Sequence, residues 1–223
     1  MSDEPLVTRC EDPERVAERV AEVMAAAIDG ARTIHGAAHV ALSGGSLSRA
    51  YELVGPKLPE WRDVHLWYGD ERCVALDDTE SNHSLATTHL RAPNATWHPV
   101  PTQLGCDEAA ADYAEEIADV TLDVAVNGMG PDGHTASLFP GFSEVHADGV
   151  CVAVHGAPKP PPDRVTLTFP KLNASRRILL VVSGAAKAAM LARVIAGPDP
   201  AEPASLLARA RLEIIADAAA LDG

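Results

Sequence analysis

An aspartate and a histidine, Asp132 and His134, stand two residues apart in a glycine-rich stretch that spans residues 127–140. The stretch follows the apolar run 122–126, which predicts a buried strand ending at the first of the glycines. Glycines let a backbone approach a ligand closely, and open α/β sheets bind ligands at the carboxyl ends of their strands. We therefore expect the chemistry of the molecule here, with an ordinary strand-to-helix turn and an exposed histidine as the alternative.

A second glycine turn, Ser43-Gly44-Gly45-Ser46, lies between an apolar run that predicts a strand and a segment that fits a helix. The unpaired N–H groups and the positive dipole end at the start of a helix attract a tetrahedral oxyanion. Phosphate is therefore the expected ligand, and a serine that only caps the helix is the structural alternative. No Gly-Lys-Ser or Gly-Lys-Thr follows, so nucleotide hydrolysis is not indicated.

Three charged residues, Asp70, Glu71 and Arg72, follow the predicted strand 64–68. Charges at the end of a buried strand are unfavourable unless they pair with each other or face a ligand. These residues are therefore candidates for a binding site, with a solvated turn as the alternative.

Two histidines in the predicted helix 82–90, His83 and His89, raise the question of a metal site. They are six residues apart and so do not share one helix face. No carboxylate lies between them at the spacing of a metal ligand. They are predicted to be surface residues, and no metal is expected.

The glycines of the 127–140 stretch formally match the dinucleotide-binding pattern and follow a predicted strand. Pro131 leaves little room for the long helix that this pattern opens. The next apolar run ends at His155, without the acidic residue that would hold a ribose. Nicotinamide or flavin binding is therefore disfavoured, and no cofactor is expected.

Residues 1–223 carry a net charge of −14 and are 47% hydrophobic. This acidity argues against nucleic-acid or anionic-membrane binding, yet a pocket needs only a few cations to bind a small anion. No window has the length of a membrane span, and the first residues lack the basic and apolar regions of a signal peptide. We expect a single cytoplasmic domain over 1–223, in which the proline-rich segment 157–162 forms a rigid surface loop.

The four cysteines, Cys10, Cys73, Cys106 and Cys151, are scattered along the chain and form no Cys-x-x-Cys pair. Such spacing suggests neither a disulfide framework nor a zinc knuckle. Reduced thiols are therefore expected.

Predicted helices and strands alternate along the chain. The predicted strands lie at 38–42, 64–68, 97–100, 122–126, 149–154, 164–169, 177–182 and 212–215, and the predicted helices at 13–28, 47–54, 82–90, 107–117, 184–195 and after 215. Alternation of this kind is typical of an α/β domain with a mostly parallel open sheet and helices on both faces, a Rossmann-like arrangement. The denser β content at 149–182 predicts a small, added β-rich subregion.

Six segments of the sequence together resemble the 6-phosphogluconolactonase family, within a wider group of sugar-phosphate enzymes that includes glucosamine-6-phosphate deaminase. The resemblance covers nearly the whole chain. It is carried by residues 43–46, 69–74, 80–82, 128–140, 164–168 and 184–188. It implies the NagB/RpiA-like fold and hydrolysis of 6-phospho-D-glucono-1,5-lactone to 6-phospho-D-gluconate, a step of the oxidative pentose phosphate pathway, without a metal or organic cofactor.

The resemblance also implies catalytic roles for three residues. His134 would take a proton from the attacking water, as suits an imidazole whose pKa lies near neutral pH. Asp132 would either hold the imidazole ring or bind a sugar hydroxyl. Arg72 would position the lactone or offset negative charge as the carbonyl oxygen becomes an oxyanion.

The 6-phosphate is expected, by the same resemblance, to bind backbone donors of the first glycine turn together with the cations Arg164 and Lys187. The implied substrate-binding residues are Ser43, Gly44, Gly45, Ser46, Asp70, Asn82, Gly130, Arg164 and Lys187. The partner is a small phosphorylated sugar lactone, and a monomer or weak dimer is expected.

Two residues depart from the pattern of the family. Leu47 stands where a threonine is usual, which leaves one hydroxyl contact of the first turn without its usual donor. Asn127 stands where an apolar residue is common, which indicates a local change in hydrogen bonding.

Two other functions remain as alternatives. A glucosamine-6-phosphate deaminase or isomerase uses an aspartate at the position of Asp70 and a glutamate shortly after the histidine, and residues 136–140 contain no carboxylate. A non-catalytic sugar-phosphate sensor needs the phosphate-binding groups but has no use for His134.

Overall fold

Strands and helices alternate through residues 4–223, the part of the chain that the computed structural model describes. The strands there are β1 (Leu6–Cys10), β2 (Ala38–Leu42), β3 (Val64–Tyr68), β4 (Asp70–Arg72), β5 (Thr96–Trp97), β6 (Val124–Gly128), β7 (Cys151–Val154), β8 (Arg164–Leu167), β9 (Arg177–Val182) and β10 (Leu212–Asp217). The α-helices are α1 (Pro13–His35), α2 (Ser48–Val54), α3 (Asn82–His89), α4 (Cys106–Ile117), α5 (Phe169–Asn173), α6 (Ala188–Ala196) and α7 (Ala218–Asp222).

Seven of these strands form one parallel sheet in the order β1-β10-β9-β6-β2-β3-β5. Strands β4, β8 and β7 form a second, antiparallel sheet. The predicted fold class, a mostly parallel α/β sheet with a small β-rich subregion, is confirmed.

The order of strands in the main sheet reverses between β2 and β6. From β2 the chain builds outward to β3 and β5, and from β6 it builds in the opposite direction to β9 and β10. Connections that leave two such neighbouring strands run apart and open a crevice at the carboxyl edge of the sheet. Both glycine turns predicted from the sequence follow these two strands, so the topology brings them to one crevice.

Helix α1 begins and ends where its sequence dictates. The Asp12 carboxylate accepts a hydrogen bond from Arg15 N at 2.9 Å, Pro13 occupies the first turn, and Gly36 ends the helix at a φ of 81°. The helix extends further than predicted, to His35, and packs its buried apolar side against β2 and β10.

Three strands differ from the sequence prediction. The sequence does not predict β1, because an edge strand lacks the apolar pattern of a strand buried on both faces, and Leu6 is 56% exposed. Residues 70–72 are predicted to be a turn or strand end, but they form β4 and pair antiparallel with β8. The predicted strand 97–100 is also wrong in extent, since only Thr96–Trp97 pairs with β3.

The expectation of reduced thiols is wrong for two of the cysteines. Cys73 and Cys106 form a disulfide with their Cα atoms 5.8 Å apart, whereas Cys10 and Cys151 are free. The two bonded cysteines are 33 residues apart in sequence. Their proximity depends on how the start of α4 meets the end of β4, which spacing alone does not reveal.

The central strands of the main sheet supply the core. Val124, Ala125 and Val126 of β6 are no more than 1% exposed, as expected for a strand covered on both faces. Between residues 4 and 223, no helix is long and apolar enough to cross a membrane.

Candidate active site

A cavity of about 310 Å³ opens at the carboxyl edge of the main sheet, where the connections after β2 and β6 diverge. All the predicted site residues except Asp132 line it. The lining residues are Ser43, Gly44, Gly45, Ser46, Asp70, Arg72, Asn82, Gly128, Met129, Gly130, Pro131, His134, Ala136, Lys159, Arg164 and Lys187. Asp132 does not line the cavity but contacts His134, which does.

The glycine turn after β2 forms one wall of the cavity. Gly45 adopts a φ of 75°, and a short 3₁₀ turn (Gly45–Leu47) leads into α2. A Cβ on Gly44 would lie 1.9 Å from Asn82 Oδ1, so this position accepts only glycine unless the Asn82 side chain moves. The hydroxyl of Tyr51 donates to Ser43 O at 2.6 Å and accepts from Ser43 N at 3.0 Å, which fixes the turn against α2.

The start of α3 is tied to β4 by the buried carboxylate of Glu71. This carboxylate accepts hydrogen bonds from the backbone N–H groups of Arg72, Asn82 and His83 and from the hydroxyl of Ser81, at 2.7 to 3.1 Å. Burial raises the pKa of Glu71, while the backbone N–H donors oppose that shift. The four donors fix residues on two elements at once, and two of those residues line the cavity.

Asp70, on β4, is hydrogen-bonded both to α3 and to the segment that follows β6. Its carboxylate accepts from Ser137 Oγ at 2.7 Å and from Asn82 Nδ2 at 3.2 Å. Asn82 Nδ2 also donates to Asp70 O at 2.8 Å. Both carboxylate oxygens of Asp70 are therefore already bound to neutral donors of the protein.

Asp132 and His134 form a close pair at the turn after β6. Asp132 Oδ1 lies 2.5 Å from His134 Nδ1, and Gly130 N donates to His134 O at 2.9 Å. A Cβ on Gly130 would lie 2.2 Å from the His134 ring and 2.4 Å from the Asp132 carboxylate. The glycine is therefore required by the pair and not only by the turn.

Burial lowers the pKa of His134, and the positive charge of Lys159 lowers it further, against the opposing charge and hydrogen bond of Asp132. Burial acts to raise the pKa of Asp132, but the charge and hydrogen bond of His134 outweigh it, so the net shift is downward. The pair is therefore an ionised carboxylate beside a neutral imidazole near neutral pH. An ionised carboxylate only accepts, so the imidazole proton lies on Nδ1 and Nε2 is left as an acceptor.

Three cations border the cavity besides Arg72: Lys159, Arg164 and Lys187. Burial lowers the pKa of Lys187, and the nearby charge of Lys159 adds to that effect. Lys159 lies in the proline-rich segment that was predicted to be a surface loop. The segment is mostly exposed, as predicted, but sequence reasoning misses that its lysine lines the cavity.

Several buried polar atoms around the cavity have no partner within residues 4–223. They are Ser43 Oγ, Asn82 Oδ1 and Arg72 Nε. Buried polar groups in proteins are normally hydrogen-bonded. Unpaired atoms on residues that line a cavity are consistent with a polar ligand, and the guanidinium of Arg72 is otherwise bound to Glu80 O.

The two histidines considered for a metal lie apart from this cavity. His83 Nδ1 lies 2.6 Å from Tyr68 Oη, and His89 Nδ1 lies 2.9 Å from Glu52. Both histidines are partly exposed, and neither lines the cavity. The described residues contain no group of three or more histidine, cysteine or acidic side chains arranged to hold a metal ion.

A Rossmann-like α/β protein with a cationic pocket for a small anion at its topological switch point is the class that this fold and cavity define. Within that class, the chain belongs to the family of glucosamine-6-phosphate isomerases/6-phosphogluconolactonase, whose family model matches residues 11–216. The family resemblance inferred from the six sequence segments is thereby confirmed.

Curated relatives and solved structures agree with this assignment. The chain is 36% identical to a 6-phosphogluconolactonase of Rattus norvegicus over 213 residues, which cover 86% of this chain and 80% of the relative. It is 33% identical to a 6-phosphogluconolactonase of Streptomyces coelicolor over 99% of this chain and 95% of the relative. The crystal structure of a 6-phosphogluconolactonase from Shewanella baltica matches with a TM-score of 0.88 at 27% identity, covering 98% of this chain and 100% of that one.

Proposed function

We propose that this chain hydrolyses 6-phospho-D-glucono-1,5-lactone to 6-phospho-D-gluconate, the step of the oxidative pentose phosphate pathway that opens the lactone ring. The observation that carries the proposal is the pairing of His134 with Asp132 beside a cavity that the Gly44–Gly45 turn also lines. Enzymatic hydrolysis of a phosphorylated ester requires a general base and a binding site for the phosphate in the same cavity.

In the proposed reaction, His134 Nε2 takes a proton from water, and the resulting hydroxide attacks the lactone carbonyl. The charge on the carbonyl oxygen develops near Arg72, which stabilises it. When the tetrahedral intermediate collapses, the ring oxygen leaves and takes the proton back from the imidazolium. The 2.5 Å contact between Asp132 and His134 favours Asp132 as the group that holds the ring, the first of its two predicted roles.

The 6-phosphate is assigned to the turn at 43–46, where N–H groups at the start of a helix favour an oxyanion, with positive charge from Arg164 and Lys187. Asp70, Asn82 and Gly130 line the space between that turn and His134 in this proposal, where they meet the sugar. We place this activity in the cytoplasm, in a monomer or weak dimer, on a small substrate and not on nucleic acid.

The alternative deaminase or isomerase reaction requires a proton-transferring aspartate at Asp70. Ser137 and Asn82 already hold both oxygens of that carboxylate, and residues 136–140 provide no second carboxylate near the histidine. A sensor without catalysis leaves the pairing of Asp132 and His134 without a purpose. Hydrolysis is therefore the better-supported function.

Purified protein should accelerate loss of 6-phosphogluconolactone above its spontaneous hydrolysis in the presence of a chelator. His134→Ala should lower kcat by about 100-fold or more, because a general base contributes that much, while KM changes little. The matched control is His35→Ala, which removes an exposed histidine at the end of α1. Wild-type protein without activity above the blank would refute the function, and an unchanged kcat in His134→Ala would refute the assignment of the base.

A further inference from the structure

The proline-rich segment 157–162 is held in place by one guanidinium. Arg164, on β8, donates from Nε to Pro161 O at 3.0 Å. Its Nη2 donates to Lys159 O at 3.0 Å and to Pro160 O at 3.3 Å. Three consecutive carbonyls of the segment therefore converge on a single side chain, and this fixes the backbone at Lys159.

Most of the hydrogen-bonding capacity of the Arg164 side chain is used by these contacts. Arg164 is 4% exposed, and its Cζ lies 5.7 Å from the centre of the Phe139 ring. Within residues 4–223, only Nη1 of the guanidinium makes no hydrogen bond. A guanidinium binds a phosphate most strongly through two parallel N–H donors, and Arg164 has no such pair to offer.

The ammonium groups of Lys159 and Lys187, in contrast to the Arg164 guanidinium, are not bonded to other groups of the described chain. Both line the cavity, and neither ammonium has a hydrogen bond or an ion pair to any residue of the described chain. The charge of Lys159 lowers the pKa of both Lys187 and His134, so it acts on the second lysine of the cavity and on the proposed base. Two unpaired cations that repel each other are stabilised by an anion between them.

We propose that Lys159 binds the phosphate of the substrate together with Lys187, and that Arg164 is a positioning residue that shapes segment 157–162 to present Lys159. The inference rests on the proposed function and refines the part that assigns positive charge to the phosphate end. Arg164 acts through Lys159 and not through a direct bidentate contact.

Inorganic phosphate and 6-phosphogluconate serve as probes, with the full-length enzyme. Lys159→Ala should raise KM for the lactone and the inhibition constant of inorganic phosphate by about 10-fold each, with kcat within about twofold, because a charge-assisted hydrogen bond is lost from bound substrate and transition state alike. Lys159→Arg should recover most of the loss. Lys57→Ala, which removes an exposed lysine outside the cavity, should change none of these values.

A double-mutant cycle tests the positioning role of Arg164. Arg164→Lys should raise KM by about 10-fold alone, because one ammonium cannot bind three carbonyls, but by less than about twofold in the Lys159→Ala background. Effects that multiply to about 100-fold would show that Arg164 contacts the phosphate itself and would overturn the positioning role.

The inference and the proposed function fail in different ways. An unchanged inhibition constant of inorganic phosphate in Lys159→Ala would overturn the inference. Because Lys159 is exposed, its replacement should not destabilise the protein, so this test does not depend on the stability of Arg164→Lys. If the wild-type protein lacks lactonase activity, binding of 6-phosphogluconate by calorimetry still tests Lys159: a loss of about 10-fold in affinity supports it, and no loss refutes it.

Discussion

The state of one imidazole sets the pH range of the proposed reaction. His134 acts as a base only when neutral, and burial lowers its pKa below the ordinary 6.5. The neutral form therefore persists as the pH falls to 6.5, and kcat/KM should decline only below that value. The measurement is a pH–rate profile with the spontaneous hydrolysis subtracted at each pH. An acidic limb centred above 6.5 would contradict the assignment of His134 as a buried base.

Gly130 offers a test that leaves every ionisable group in place. Gly130→Ala would put a Cβ 2.2 Å from the His134 ring, so the ring must move, and a displacement of about 1 Å can lower turnover by about 100-fold. Steady-state kinetics should show the loss in kcat. The control is Gly30→Ala in α1, where a Cβ meets nothing within 4 Å and should only stabilise the helix, by about 0.5–1 kcal/mol. Full activity in Gly130→Ala would mean that the ring has room that the structure does not show.

At the scale of residues, the sequence predicts those site groups that follow directly from a strand end. The turns after β2 and β6 could be placed together because parallel neighbouring strands end at the same edge of a sheet. The position of Lys159 in the cavity could not be predicted, because it depends on hydrogen bonds from Arg164 to a loop without regular structure. Nor could the contact between Asp132 and His134 be chosen from spacing over its alternative.

Among the elements, β4 and α3 carry the polar groups of one cavity wall, and Glu71 joins them. The sequence indicates that charges cluster at residues 70–72, but it does not reveal that these residues form a strand of a second sheet. That pairing with β8 is a long-range contact. The carboxylate of Glu71 then turns inward to cap α3, so that one buried anion fixes the backbone on both sides of Arg72.

The disulfide between Cys73 and Cys106 links this same wall to α4. A cross-link that closes a loop of this size stabilises a protein by about 3–4 kcal/mol in the chain-entropy account. A reductant should therefore lower the urea midpoint of unfolding, and Cys73→Ala/Cys106→Ala should show the lower midpoint with no response to reductant. Thiol titration of the unreduced, denatured wild type should find two free thiols, Cys10 and Cys151. Four reactive thiols and equal midpoints would refute the bond.

At the scale of the whole molecule, a chain with a net charge of −14 gathers four cationic side chains around one crevice. The main sheet supplies the anion-binding turn and the turn with the histidine, whereas the small sheet supplies Arg72 and Arg164. Ser137, in the segment that follows β6 of the main sheet, donates a hydrogen bond to Asp70 of the small sheet. The site therefore exists only where the two sheets meet, which explains why the resemblance in sequence extends over nearly the whole chain.

A second cluster of histidines, on β2, β3 and the chain after β5, lies outside that site. The rings of His39 and His65 stack with their centres 4.6 Å apart, and His65 Nδ1 lies 3.0 Å from His98 Nε2. Trp67 Nε1 donates to His39 Nδ1 at 3.1 Å. The indole N–H only donates, so His39 must accept at Nδ1 and cannot be protonated there without losing this bond.

Burial lowers the pKa of His39, and the charge of His65 lowers it further. Burial also lowers the pKa of His65, and the charge of His98 adds to that shift. Asp123 opposes the shift of His39 only in part. Because the unfolded chain binds protons at these rings near pH 6.5 and the folded chain does so only at lower pH, this stability is present above 6.5 and is lost as the pH falls toward the folded pKa.

The free energy of unfolding in urea should therefore decrease between pH 7.5 and pH 5.5. His39→Gln should flatten that decrease, because an amide oxygen can accept the Trp67 hydrogen bond and does not titrate in this range. The control is His35→Gln, an exposed histidine whose loss should leave the pH slope unchanged. A slope that is the same in the wild type and in His39→Gln would show that the acid sensitivity of the fold arises elsewhere.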